Sequence, residues 1–439
     1  MTYSKLLESN EVVRRSAIKH KADAFGLRID ILSSLMLFSD YTLLSLLIIL
    51  TGSIWLLTPE AIGYYTPLRM MALVFAIISA VLRYIKTGSR AEIGTTVVAL
   101  AFLMAFFGFL YIGANSTLSA TVQIVMPLAC FAFLAGSLRD IADIELIANR
   151  FATAMTAIAI LSLVFFFAGS VFNVIAPSSM VSFEWDWTRV AASYYGLYFE
   201  HQTIDSFGLI GYRNCGIFSE APMFVFNLVI ALVFNILFGS KNLIKTTVLI
   251  IAIITTVSIT GYIAVALLFL SKYIFDNSQK MTTQIKLLLV PILALAGAAV
   301  VYVFLQEKSS TGSYGVRLDH LLACIQVFLD TLPFGCGIGN TYEISRYLLY
   351  DQGLSVGLPY YFAETGLIGV AIIVMPILYG LIQTKQPAHG KLAAAAVVYL
   401  WLFMVTNVMF NSMVEWFFLM VVFFGLGRLS DEQDNSRRL

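Results

Sequence analysis

Residues 243–275 read LIKTTVLIIAIITTVSITGYIAVALLFLSKYIF, and the number of times this run crosses a bilayer decides the fold. A helix spans the hydrocarbon core with about 20 apolar residues. The run is long for one such helix and short for two. Its middle, TTVS at 255–258, is polar enough to turn. Other apolar runs lie at about 38–58, 66–85, 93–113, 118–136, 151–176, 222–239, 286–305, 366–383, 391–409 and 413–427. Divided at its middle, the quoted run brings the total to about twelve spans by the length criterion.

Basic residues test the division, because Lys and Arg in short loops mark the cytoplasmic side. Arg83, Lys86 and Arg90 follow the second run, Arg139 and Arg150 the fourth, and Lys241 and Lys245 the sixth. Lys272, Lys280 and Lys286 follow the quoted segment, Lys385 and Lys391 lie between the last two runs but one, and Arg428, Arg437 and Arg438 end the chain. With twelve spans and both termini inside, all these sites share one side. With 243–275 as a single span, the later ones would fall outside. The charge pattern therefore favours two spans joined by a hairpin.

Of 439 residues, 59% are hydrophobic and 12% charged, against about a quarter charged in a soluble domain. A net charge of +1 argues against a nucleic-acid partner. The expected fold class is all-α: a polytopic membrane domain over residues 38–427 with about twelve transmembrane helices. A cytoplasmic tail of residues 1–37, carrying an interfacial helix and no visible secretory signal, precedes it, and a tail of residues 428–439 follows. This topology puts two long polar loops, about 177–221 and 306–365, on the outer face, where short helices are expected in both. The cysteines, Cys130, Cys215, Cys324 and Cys336, lack metal-ligand spacing, and a disulfide between the last two is open.

The polar loops concentrate charge that the rest of the chain lacks. The first crowds aromatic residues, among them Phe183, Trp185, Trp187, Tyr194, Tyr195, Tyr198 and Phe199. They read as a headgroup-layer helix or as a platform for sugar rings. Arg189 there fits either a surface charge or a phosphate ligand. In GYRNCGIFSEAP (211–222), Arg213 can hold a phosphate through its guanidinium fork. Glu220 would orient that arginine or act as a base; the plainer reading is an ion pair between the two. In the second loop, Arg317 and His320 are three apart and share a helix face, which suits an anion and a proton acceptor. Arg346 is a further phosphate contact or a solvated charge. Glu364 is a base or a helix-start carboxylate. Gly335, Gly337 and Gly339 form GxGxG after a helix, which reads as a turn and not a phosphate cradle.

At these residues the chain resembles the O-antigen ligase and polysaccharide polymerase family of bacterial membrane proteins. The resemblance covers about residues 205–375. It rests on RNCGIFSEAP, on SITGYIA at Ser258–Ala264, on VRLDHLLACIQVFLDTLPFGCGIGNTY, and on YYFAETGLIG, in that order and spacing. It implies a metal-independent glycosyltransferase without a cofactor, acting on undecaprenyl-diphosphate-linked oligosaccharide at the outer face of the cytoplasmic membrane. A chain-length regulator is a partner this implies. Arg213 and Arg317 match the family's diphosphate-binding arginines, Glu364 and Gly366 its Glu-x-Gly, and Arg346 with Gly357 an Arg-x10-Gly pattern of some polymerases. Ligases carry a His where this chain has Ser355, which favours a polymerase over a ligase. His320, with Glu220 or Glu364 behind it, is then the expected base. The rival class is a flippase of the same lipid-linked units, but charge at mid-membrane, which transport needs, is sparse: Arg69 and Glu415 lie near span ends.

Overall fold

The computed structural model describes residues 40–87, 116–185, 187–206, 209–276, 312–349, 356–385, 388–405 and 412–430. The N-terminal tail, the apolar runs at 93–113 and 286–305, Ser355 and most of the C-terminal tail lie outside the described residues. Twelve helices occur among those described: α1 Thr42–Leu50, α2 Tyr65–Thr87, α3 Leu118–Ser137, α4 Ile141–Phe165, α5 Ala221–Val233, α6 Leu243–Thr255, α7 Ile259–Asp276, α8 Gly312–Asp330, α9 Thr341–Ser345, α10 Gly357–Gln383, α11 Ala388–Val405 and α12 Met413–Phe418. Three of them, α4, α5 and α12, run on through a wide π turn. Seven of the helical segments are long and apolar enough to cross a membrane, and α6 and α11 are shorter apolar helices.

The segment 243–275 is two helices. Val257 takes φ +48° between them, and the carbonyls at the end of α6 leave the helical ladder. The helix α5 lies at the centre, packed by α4, α6 and α7. With its π turn it is 94% buried, as expected of a helix apolar on all sides. The outer helices keep apolar faces bare: Val164, Leu378 and Ile382 are exposed. Soluble proteins do not present such faces, and lipid would cover them.

The basic residues gather at one end of the bundle. Arg83 pairs with Asp143 and Arg150 with Asp40, and Arg428 donates to the Leu138 carbonyl. Lys245 donates to Thr153 Oγ1 at 2.6 Å and senses Arg150. Lys391 senses Lys241, Lys272, Glu145 and Asp276. The start of α4 sits at this end, where the Asp140 carboxylate accepts from Asp143 N–H at 2.9 Å.

The all-α expectation fails in the first polar loop. It holds five strands: β1 Ser179–Trp185, β2 Trp187–Tyr194, β3 Tyr198–Glu200, β4 Thr203–Ser206 and β5 Leu209–Tyr212. The first three form an antiparallel sheet in the order β1-β2-β3, and β4-β5 is a separate hairpin. The cause is period-two alternation: Phe183 is buried while its neighbours Ser182 and Glu184 are exposed. Aromatic residues read as interfacial anchors or a sugar platform are mostly the sheet's own core. Phe183 and Phe199 pack on Ile54, and Tyr194 and Tyr198 on Phe166, each worth about 1.5–3 kcal/mol in buried area.

Two further points concern the first apolar run and the cysteines. The first apolar run is not one continuous helix: α1 has nine residues, about 13.5 Å of helix against a hydrocarbon core of about 30 Å, and the run goes on through a short turn of helix at Ile54–Leu57. It breaks at Thr51–Ser53, and Ile54 N–H then bonds Ile217 O at 2.8 Å, tying the break to the segment before α5. The open disulfide is absent, since Cys324 and Cys336 are both free and buried.

Candidate functional site

The RNCG turn before α5 is held from three sides. Arg213 N–H bonds Gln202 O at 2.9 Å. Its Nε donates to Thr256 O at 2.9 Å, in the turn between α6 and α7. Asn214 N–H bonds Thr255 O at 3.1 Å, and its amide accepts from Ser162 of α4 at 2.5 Å. Gly216 takes φ +59° with Phe224 against it, so the chain turns sharply into α5. The side chain of Gln202 accepts from Ala221 N–H at 2.9 Å, satisfying a donor at the helix start.

One guanidinium group pairs with Glu220, and two more lie within electrostatic reach of it. Arg189 pairs with it at 3.3 Å. Arg317, reached from α8, senses Glu220 and Arg213, and Arg213 in turn senses Glu220. Burial pushes Arg317 below the usual arginine range; Glu220 opposes this and Arg213 adds to it. Burial likewise lowers Arg213, with Cys215 and then Glu220 pulling it back. Burial pushes the Cys215 thiol up to about 12, which keeps it neutral. The cluster therefore holds more positive than negative charge, partly stripped of water. Such an excess costs energy until an anion compensates it.

Glu220 is the N-cap of α5, and the π turn at the other end of that helix leads to Ser240 and Lys241. Eighteen residues separate the two ends, about 27 Å at 1.5 Å per residue. The guanidinium cluster thus lies at the end of the bundle away from the basic belt, and both polar loops contribute to it.

The expected residues separate. Arg213, Arg317 and Glu220 come together. His320 shares the inward face of α8 with Arg317, but is fully buried. The plainer alternative, an ion pair of Arg213 with Glu220, is not what forms: Arg189 pairs with that carboxylate, and Arg213 anchors on Thr256. Arg346 stands elsewhere, exposed and paired with Glu343 at 2.9 Å on the short helix α9. Glu364 is built into another feature. Its Oε1 accepts from Gly339 N–H at 2.8 Å, where the turn after α8 wraps a break in α10 at Gly366. Neither Arg213 nor Arg317 senses it. The GxGxG string is indeed a turn, with φ +79°, +101° and +78° at Gly335, Gly337 and Gly339.

Of two further members of the site, the sequence leaves Arg189 open between two roles and gives no sign of His201. Arg189 is paired across the sheet with buried Phe183, so period-two parity would have turned it inward. His201 bonds Ser219 O through Nε2 at 2.7 Å. A carbonyl only accepts, so this nitrogen carries the proton. Burial holds the ring below its usual range, the Ser219 bond opposing and Arg189 adding to the drop. No spacing signal marks it. Among the described residues no group of three or more His, Cys, Asp or Glu is placed to hold a metal ion. Comparison with protein-family models and with curated proteins yields no match.

Proposed function

We propose that this chain polymerises lipid-linked oligosaccharide repeat units of a bacterial surface polysaccharide, by glycosyl transfer at the outer face of the cytoplasmic membrane. The observation that carries the reading is the gathering of Arg189, Arg213 and Arg317 around Glu220, at the end of the bundle remote from the basic belt. An undecaprenyl-diphosphate-linked chain is the donor. A sugar hydroxyl attacks the anomeric carbon, the bond from that carbon to the phosphate oxygen breaks, and the diphosphate leaves with the electron pair. Arg213 and Arg317 stabilise the charge that develops there. The hydroxyl proton passes to Glu220, preferred to His320 because it stands among the guanidinium groups. Arg346 and Glu364 have no part in this chemistry. About twelve spans with both termini in the cytoplasm complete the topology, since basic loops stay inside.

The test is purified protein in liposomes with a synthetic lipid-diphosphate repeat unit. A ladder of products is expected, and Arg213→Ala or Arg317→Ala should remove it. Wild-type protein that makes no ladder, but moves the lipid between leaflets, would establish the flippase instead. Glu415 is buried, but it stands in the first turn of α12 at a span end and lends that rival little.

A further inference from the structure

Lys241 takes φ +53°, a region that long side chains rarely adopt. Asparagines hold the turn around it. Asn149 of α4 accepts from Ser240 N–H at 2.7 Å, and Lys241 N–H bonds Asn235 O at 3.0 Å. The Asn235 amide donates to Asn242 O at 2.9 Å and accepts from Asn242 N–H at 3.2 Å. Asn242 then caps α6, accepting from Lys245 N–H at 3.1 Å. The turn thereby fixes Lys241 and Lys245 beside α4.

Positive charge gathers there in excess. Lys245 donates to Thr153 Oγ1 at 2.6 Å, and that hydroxyl donates in turn to Asn149 O at 2.6 Å. An ammonium carries three donors, and among the described residues no carboxylate pairs with Lys245 or Lys241. The charge that Lys245 senses is Arg150, of its own sign. Arg150 is paired with Asp40, and Lys391 senses both Lys241 and Glu145. Four cations, Arg150, Lys241, Lys245 and Lys391, thus stand with two carboxylates, Asp40 and Glu145. Lys272 adds nothing to the excess, because Asp276 neutralises it.

Apolar surface begins directly below. The helices α4 and α6 pack on each other, and both start toward this end. Ile244, Thr247, Ile251 and Ile254 share one face of α6, and Thr153, Ala157, Ile160, Leu161 and Val164 share one face of α4; all are exposed. From Lys245 to Ile254 the rise is about 13.5 Å, and from Thr153 to Val164 about 16.5 Å. Half of the hydrocarbon core is about 15 Å, so each stripe is one leaflet deep. A small anion would use the cations and leave the stripes bare. A neutral lipid would cover the stripes and leave the cations unpaired. A phosphodiester that carries acyl chains meets both.

We propose that Lys241, Lys245 and Arg150 seat the headgroup phosphate of one anionic glycerophospholipid, whose chains lie on the exposed stripes of α4 and α6. By the charge rule this lipid belongs to the cytoplasmic leaflet. The site rests on the membrane-spanning reading of the bundle and is independent of glycosyl transfer.

The test titrates the whole protein, in a detergent without charge or sugar, with dioleoyl phosphatidylglycerol or dioleoyl phosphatidylcholine, and counts bound lipid by native mass spectrometry. One phosphatidylglycerol should bind about fivefold or more tighter than phosphatidylcholine. Lys245→Gln, which can still reach Thr153, should weaken it about fivefold, the worth of one cation facing an anionic lipid. Lys241→Asn, which suits the backbone there, should do the same. Lys272→Gln should change it less than about twofold, since that lysine is already paired. Glycerol 3-phosphate in hundredfold excess should not displace the lipid. Equal binding of the two lipids overturns the proposal, as does unaltered binding in both Lys245→Gln and Lys241→Asn. An equal loss in Lys272→Gln would reveal the general field of the belt in place of a site, and displacement by glycerol 3-phosphate a phosphate site without a lipid; either overturns it too.

Discussion

Replacing Gly366 with alanine should unlock the junction between α8 and α10. Gly366 sits at φ +61°, ψ −150° within α10, a region that residues with a Cβ avoid at a cost of about 1–3 kcal/mol. An added Cβ would lie 2.5 Å from the Gly335 nitrogen and against the Pro333 carbonyl. The turn would have to back away. It now carries Leu367 N–H to Pro333 O at 2.9 Å, Cys336 N–H to Ala363 O at 2.9 Å and Gly337 N–H to Glu364 O at 3.0 Å. Losing two such bonds costs about 1–3 kcal/mol more. The sum is about 2–6 kcal/mol. Gly315→Ala is the matched control. That glycine lies in α8, where a Cβ would meet nothing within 4 Å, and alanine there should stabilise by about 0.5–1 kcal/mol. Unfolding each variant by SDS titration in mixed micelles gives both values. Equal stability of the two variants would refute the locked junction.

Arg213→Ala and Arg317→Ala should each weaken pyrophosphate binding about tenfold or more, the worth of a charged hydrogen bond, whereas Arg346→Ala should change it less than about twofold; calorimetry on the nanodisc-embedded protein reads both. Burial holds His201 below its ordinary 6.5. The unfolded chain therefore takes up that proton first as pH falls, and stability declines below about pH 6.5. His201→Gln should flatten the melting temperature over that range. Tyr195, 67% exposed in the turn between β2 and β3, and Ser240, beyond the other end of α5, should label from opposite sides of a membrane when each is replaced by cysteine. Labelling from one side would end the proposed topology. Cys215, fully buried with its thiol pushed up to about 12, should resist maleimide at neutral pH until the protein unfolds.

The helices were legible where apolar length alone decides, as in α2, α3, α7 and α10. They were misread where a polar residue breaks a run or an apolar stretch hides a start. Asp140 caps α4 well before the apolar run at 151 begins, so length placed that helix's start too late. The sheet was missed because its aromatic residues fit a membrane-interface helix equally well; only the alternation through Phe183 separates the two. Arg213, Glu220 and Arg317 were legible as sparse charges flanking apolar helices. Their mutual approach was not, because residues about a hundred positions apart share no local pattern. Glu364 shows the opposite failure. A carboxylate at a helix start invites a chemical role, but here the broken helix and the glycine turn hold it.

The hairpin at 255–258 does more than set the number of crossings. A helix end leaves its last carbonyls without intrahelical donors. Here Thr255 O accepts from Asn214 N–H and Thr256 O from Arg213 Nε. Had residues 243–275 continued as one helix, the N–H groups of Ile259 and Thr260 would occupy those carbonyls, and Arg213 would lose its anchor beside Glu220. The break that brings the later basic residues back to the belt is therefore also the break that aims a guanidinium at the far end. A glycine at Val257, free to hold φ +48°, tests the coupling in one direction, and a helix-continuing Val257→Ala with Ser258→Ala tests it in the other. The first should leave pyrophosphate affinity within about threefold. The second removes the residue held at φ +48° and should lower that affinity along with Arg213's hold on Thr256. If extending the helix left the affinity unchanged, Arg213 would not depend on the turn for its position.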